Sequence, residues 1–223
     1  MEQGKILSYQ EIYDTPSSEN KESLVDVRTY DSKILVQYKK LDMLPYTGEN
    51  IFVRDAVAKK LASANAFLLK DNNYCLKVVY GYRHPDVQKI YFDKRRAELK
   101  MKNQQLSEEE LDALTHNFVA VPSVAGHPTG GAIDVTLADA SGNDVDMGTE
   151  IADFRDSEKI KTFSEEISEY QKGNRKLLHD ILTSEGFAPF YGEWWHFSYG
   201  DREWACFYKK PSSLYSPIDF KSI

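Results

Sequence analysis

Cysteine is scarce in this chain. Cys75 and Cys206 are the only two in 223 residues and belong to no C-x-x-C pair or other zinc spacing, so both are expected as reduced thiols rather than parts of a disulfide framework. No apolar run approaches the roughly 18 residues of a membrane helix. Basic residues are in deficit, 28 Lys+Arg against 35 Asp+Glu, and the net charge of −7 offers no footprint for nucleic acid phosphates. There is neither a Gly-rich phosphate loop nor a G-x-S-x-G elbow, which leaves nucleotide chemistry and serine hydrolysis without a foothold. The N-terminus, Met1-Glu2-Gln3-Gly4-Lys5, lacks a charged stretch followed by an apolar region and a cleavage site. The expected location is cytoplasmic, with the periplasm as the alternative if a signal was removed. Oligomeric state leaves no mark in the residues.

What is present fits one folded domain: 41% hydrophobic residues, 13% aromatic, and enough length for a full core. Residues 1–30 are polar and irregular and are expected as an extended N-terminal arm over a single domain, 31–223. Lys33 to Gln37 suggests a short strand, and Pro45-Tyr46-Thr47-Gly48 a turn. Asn50 is placed to cap a helix to about Lys70, with Val53, Val57, Leu61, Ala64 and Leu68 on its buried face. Tyr74 to Tyr80 reads as a strand, Pro85 opens a helix to about Met101, and Ser107-x-x-Glu110 caps another to about Asn117. Ala132 to Leu137 alternates, which puts Asp134 on the face opposite Ile133 and Val135. Helices are expected over 157–170 and 174–185, the second closed by Gly186. Trp194–Tyr199 and Trp204–Tyr208 are expected to pair as a hairpin across Gly200-Asp201.

The chemistry concentrates in two runs, Gly126-His127-Pro128-Thr129-Gly130-Gly131-Ala132-Ile133-Asp134 and Glu193-Trp194-Trp195-His196. A His-x6-Asp pair alone is weak, since such residues are usually surface or capping groups. Gly130 and Gly131 strengthen it by letting the backbone fold back ahead of a rigid strand. Two imidazoles and one carboxylate, from His127, His196 and Asp134, suffice for a catalytic Zn2+ that keeps a position open for water. Other divalent ions tolerate the same set. Glu193 is then a general base, which requires a bend at Gly192 because residues three apart in a regular strand face opposite sides. Arg83, at a strand-to-helix turn, is the candidate to stabilise an oxyanion or anchor a carboxylate, against the bland alternative of a surface cation. His116 and His179 fall in helical patterns and read as packing. His84 reads as capping, and Trp194 and Trp195 as support for the ligands.

Together these residues resemble the D-alanyl-D-alanine dipeptidases, zinc peptidases of the vancomycin-resistance type related to zinc D,D-carboxypeptidases. The matching elements are Gly81-Tyr82-Arg83, the run from His127 to Asp134, Met147-Gly148-Thr149, Asn174-Arg175, Gly186-Phe187 and Glu193-Trp194-Trp195-His196. The resemblance covers about Lys33 to Phe197. It implies an α+β fold shared with hedgehog domains, an antiparallel sheet packed by helices. It also implies one Zn2+ per chain on His127, Asp134 and His196, with Glu193 as base and Arg83 at the transition state. The implied substrate is D-Ala-D-Ala or a related D-amino-acid dipeptide. Two positions depart from the family: Ala125 stands where a substrate-holding Ser is usual, and Ala152 where an Asp usually receives the substrate ammonium. A one-residue shift would give that task to Asp153, and Tyr38 is the counterpart of the family's N-terminal Tyr only with an insertion of two residues before Tyr46-Thr47-Gly48. The departures keep two alternatives open, a zinc D,D-carboxypeptidase acting on longer stem peptides and a non-catalytic binding module with a closed zinc.

Overall fold

The structure, a computed structural model, describes residues 4–221. Its elements in chain order are α1 (Tyr9–Asp14), β1 (Leu24–Asp26), β2 (Leu35–Val36), α2 (Leu44–Thr47), β3 (Phe52–Arg54), α3 (Asp55–Asp71), β4 (Tyr74–Tyr80), α4 (Pro85–Lys102), α5 (Glu108–His116), a single 3-10 turn (His127–Thr129), β5 (Ala132–Asp139), α6 (Glu169–Ser184), β6 (Ala188–Pro189), β7 (His196–Ser198) and α7 (Arg202–Phe207). Five strands form one sheet in the order β2-β4-β5-β7-β6, antiparallel except where β2 runs parallel to β4, while β1 and β3 pair separately. This is the expected α+β arrangement, with helices packed on an essentially antiparallel sheet.

One face of the sheet makes the core. Leu76 and Val78 of β4 and Ile133, Val135 and Leu137 of β5 pack against Leu61 and Leu68 of α3 and Leu178 and Leu182 of α6, all fully buried. Each such side chain contributes about 1.5–3 kcal/mol by leaving water. The other face carries the polar residues of the site. A register shift between Val78 and Tyr80 puts one extra residue into β4 and aims Tyr80 at that face, directly opposite Asp134.

Several segments differ from the sequence expectation, some through distant pairing and some through local caps. The first thirty residues are not simply extended: Ser8 and Glu11 form a capping box on α1, β1 pairs with β3, and Val27 is fully buried. That pairing takes Phe52-Val53-Arg54 as a strand, so α3 starts at Asp55 rather than after Asn50. The Pro45-Tyr46-Thr47 stretch is the short helix α2, ended by Gly48 at φ +60°. Residues 157–168 are turns rather than helix, because the carbonyls of Lys159 and Lys161 accept from the buried Arg175 guanidinium, at 2.8 and 2.6 Å. The helix proper begins at a capping box of Ser168 with Gln171 and runs on through Asn174. The expected hairpin partner at 204–208 is instead α7: Asp201 accepts from the Trp204 amide at 2.9 Å, which nucleates a turn. No helix among the described residues is long and apolar enough to cross a membrane.

Candidate active site

His127 stands on the 3-10 turn before β5, and the local sequence explains how. Gly130 takes φ +74°, which only glycine adopts without strain, and an added Cβ at Gly131 would lie 2.4 Å from the Tyr199 carbonyl oxygen. The turn is locked to the preceding strand by the Arg83 amide, which donates to the His127 carbonyl at 3.1 Å. The His127 ring places Nδ1 2.8 Å from the Gly81 carbonyl oxygen. A carbonyl only accepts, so Nδ1 carries the proton and Nε2 is left with a free lone pair. That atom lies 3.4 Å from Asp134 Oδ1.

Asp134 and His196 are direct register partners across β5 and β7, and Asp134 Oδ1 lies 3.0 Å from His196 Nδ1. One ligand atom from each of His127, Asp134 and His196 lies within 4.8 Å of the others. The expected convergence of two distant stretches is therefore realised. All three side chains are nearly enclosed. Burial would raise the Asp134 carboxyl, but the adjoining imidazoles of His127 and His196 hold it far below the usual range. Burial lowers His127. Burial opposes charge on His196 as well, yet its contacts with Asp134 and Glu203 raise it.

Glu193 sits in the turn before β7, where the His196 amide donates to its carbonyl at 3.2 Å. The bend required near Gly192 is present, and Glu193 lines the same cleft as the three ligand candidates. Burial pushes its carboxyl up to about 7. Arg83 lines the cleft too, with its guanidinium 4.4 Å from the Tyr80 ring centroid and 5.3 Å from that of Tyr91. Gln88, nearly fully buried, accepts from Arg83 Nη1 at 2.8 Å and donates to the Ala120 carbonyl at 2.8 Å. Arg83 Nε is buried without a partner. The bland reading of Arg83 as a surface cation is overturned.

Two expected substrate contacts stand elsewhere. Asp153 does not line this cleft of about 390 Å³; its carboxylate binds Arg155 at 2.7 and 2.6 Å and borders a separate cavity. The cause is Ala152, which takes φ +59° and turns itself into the cleft and Asp153 away. Tyr38 lies behind the cleft wall: its hydroxyl meets Thr47 Oγ1 at 3.2 Å and the Asn50 carbonyl at 3.1 Å, and its ring packs edge-on against Tyr80. The shift that would have used Asp153, and the insertion that would have used Tyr38, do not bring either side chain to the ligand cluster. Sequence reasoning missed Glu203, which lies 3.7 Å from His196 Nε2 and directly precedes a segment read as strand. It also missed Gln88, Tyr80 and Tyr91, for which no local signal exists.

The D-ala-D-ala dipeptidase family matches residues 29–215. The chain belongs to that family. A D-alanyl-D-alanine dipeptidase of Synechocystis is 32% identical over 190 residues, 74% of this chain and 76% of the relative. One from Escherichia coli is 37% identical over 73 residues, 33% of this chain and 37% of its own. A solved vancomycin resistance D,D-pentapeptidase in complex with Zn(II) is more distant, at 16% identity and TM-score 0.47 over 91% of this chain and 92% of the other. Within the dipeptidase family the chain is a metallopeptidase, and its His-x6-Asp and Glu-x-x-His runs are the stretches that meet in the cleft.

Proposed function

We propose that this cleft hydrolyses D-Ala-D-Ala or a closely related D-amino-acid dipeptide. The observation that carries the reading is the meeting of His127, Asp134 and His196 within 4.8 Å, beside a Glu193 whose carboxyl is pushed up to about 7. The donor set suits one Zn2+: two imidazole nitrogens and one carboxylate oxygen, with one imidazole already oriented by Gly81. When bound there, zinc supplies Lewis acidity that makes water more acidic and a carbonyl more electrophilic.

The chain's own residues then divide the work. Glu193 takes a proton from the water whose oxygen bonds to the scissile carbonyl carbon, a task that suits a carboxylate near neutrality. It hands that proton to the departing amine nitrogen as the C–N bond breaks, which leaves two free amino acids. Arg83, with an unpaired Nε and a charge that does not titrate, stabilises the negative charge that develops on the carbonyl oxygen. Trp195, 1% exposed on the cleft wall, keeps water from that side.

One observation favours a second reading. With Asp153 turned outward, the cleft by Ala152 is walled by Ile151, Phe154 and Trp195, and no carboxylate from this loop meets a substrate ammonium. That end suits an acylated residue, as in a longer stem peptide cut by a carboxypeptidase. Rates on free D-Ala-D-Ala and on N-acylated peptides ending in D-Ala-D-Ala separate the two. The dipeptidase reading expects the free dipeptide to be preferred, and preference for the acylated peptides overturns it.

A further inference from the structure

Besides Arg83, the cations Lys39, Lys40, Lys94 and Arg95 line the cleft, and of these Lys40 stands over the same ring as Arg83 and is used by neither the motifs nor the hydrolytic step. Lys40, shortly after β2, places Nζ 4.5 Å from the centroid of the Tyr91 ring, the ring that also carries the Arg83 guanidinium at 5.3 Å. Both cations line the cleft with His127, Glu193 and His196. Their platform is rigid, because the hydroxyls of Tyr80 and Tyr91 both donate to the Asp42 carboxylate, Tyr80 at 3.0 Å. Asp42 is therefore engaged by two phenols, and among the described residues no carboxylate pairs with Lys40. The neighbouring Lys39 shows the contrast: it reaches Glu150 at 3.3 Å and Asp144 at 3.6 Å. Lys40 keeps an exposed surface while lining the cleft; desolvation and Arg83 lower its pKa, against Asp42 and Asp134, which raise it.

Two like charges over one ring repel each other, and a further anion held between them is favoured. A peptidase that cuts a C-terminal peptide bond must hold a carboxylate a few bonds from the carbonyl under attack. Arg83 is occupied at Nη1 by Gln88 and is required at the developing oxyanion, so it cannot also neutralise that carboxylate fully.

We propose that Lys40 is the residue that receives the C-terminal carboxylate of the substrate, alongside Arg83, and so sets the preference for a free acid over a neutral end. This rests on the peptidase reading above. It makes Lys40 a specificity residue rather than part of the proton-transfer machinery.

The test compares D-Ala-D-Ala with its C-terminal amide on zinc-loaded protein, with Lys40 intact, as Lys40→Met and as Lys40→Arg. The expected result is that Lys40→Met cuts the acid-over-amide ratio of kcat/KM by about tenfold, mostly through KM, and that Lys40→Arg restores most of it. Loss of the same size on acid and amide, or an unaltered ratio, overturns the assignment. Binding of both compounds to the Glu193→Ala protein, with and without Lys40→Met, gives the same comparison without turnover. Dipeptide that binds through Lys40 but is never cut overturns the peptidase reading and keeps Lys40. Dipeptide cut at an unaltered ratio after Lys40→Met does the reverse, and a protein that binds neither compound overturns the Lys40 assignment.

Discussion

Glu203 Oε2 lies 3.7 Å from His196 Nε2, on the far side of the imidazole from Asp134 Oδ1, which is 3.0 Å from Nδ1. The ring is held between two carboxylates, an arrangement that orients a ligand histidine and raises its basicity. Glu203→Ala is expected to weaken metal affinity about 10–100-fold, while turnover at saturating metal falls less. Competition against a chromogenic chelator measures this, and wild-type affinity in the variant would remove Glu203 from the site.

Arg54, 1% exposed, ties three distant stretches together. Its Nε donates to the Thr129 carbonyl at 2.6 Å beside His127, Nη2 pairs with Glu19 at 2.8 Å, and Nη1 donates to the Glu22 carbonyl. Arg54→Met leaves Glu19 and two carbonyls without their donor, and a loss of about 3–5 kcal/mol is expected by urea unfolding. A loss within 1 kcal/mol, on the order of an exposed ion pair, would show that water replaces the fork.

Asp201 is fully buried, accepts from the Trp204 amide through Oδ1, and has no partner on Oδ2. Burial pushes its carboxyl up to about 6, with Glu203 acting in the same direction. A pKa raised on folding means that the residue's contribution is full below about pH 4 and is lost as pH climbs through about 6. Asp201→Asn keeps the cap and removes the charge, so it is expected to stabilise the protein at pH 8 by on the order of 1 kcal/mol, roughly 2–4 °C in Tm. At pH 4 the gain should vanish. Melts that differ equally at both pH values would contradict a titrating Asp201.

Arg83→Lys keeps a positive charge but not the fork that Gln88 holds and whose Nε is buried without a partner. We expect kcat on the preferred substrate to fall about 10²–10³-fold with metal content retained. A fall confined to KM would move Arg83 from the developing oxyanion to ground-state binding.

What was legible in the sequence was local. Pro85, the capping box at Ser107 and the alternation from Ala132 to Leu137 carry their own signals, and α4, α5 and β5 stand where those signals put them. The ligands and the base were legible through chemistry, because His127, Asp134, Glu193 and His196 sit in short runs whose glycines explain the bends. The remainder depends on distant partners or on local caps and backbone angles that the residue pattern masks. Phe52-Val53-Arg54 becomes a strand only because Leu24–Asp26 lies beside it. The spacing of Trp204, Cys206 and Tyr208 mimics a strand, but the Asp201 cap makes it helix, and with it Glu203 went unseen. The fate of Asp153 turned on one backbone angle, at Ala152, that composition does not reveal.

The central claim is that His127, Asp134 and His196 hold a catalytic ion and that Glu193 moves the proton without holding it. The most direct measurement is metal content and D-Ala-D-Ala hydrolysis side by side, on wild type, Glu193→Ala and His196→Ala. The expected result is one zinc per chain in wild type and in Glu193→Ala, with turnover lost by at least about 10²–10⁴-fold in the latter, and both zinc and turnover lost in His196→Ala. A Glu193→Ala protein that stays fully active, or a His196→Ala protein that keeps its zinc, contradicts the account.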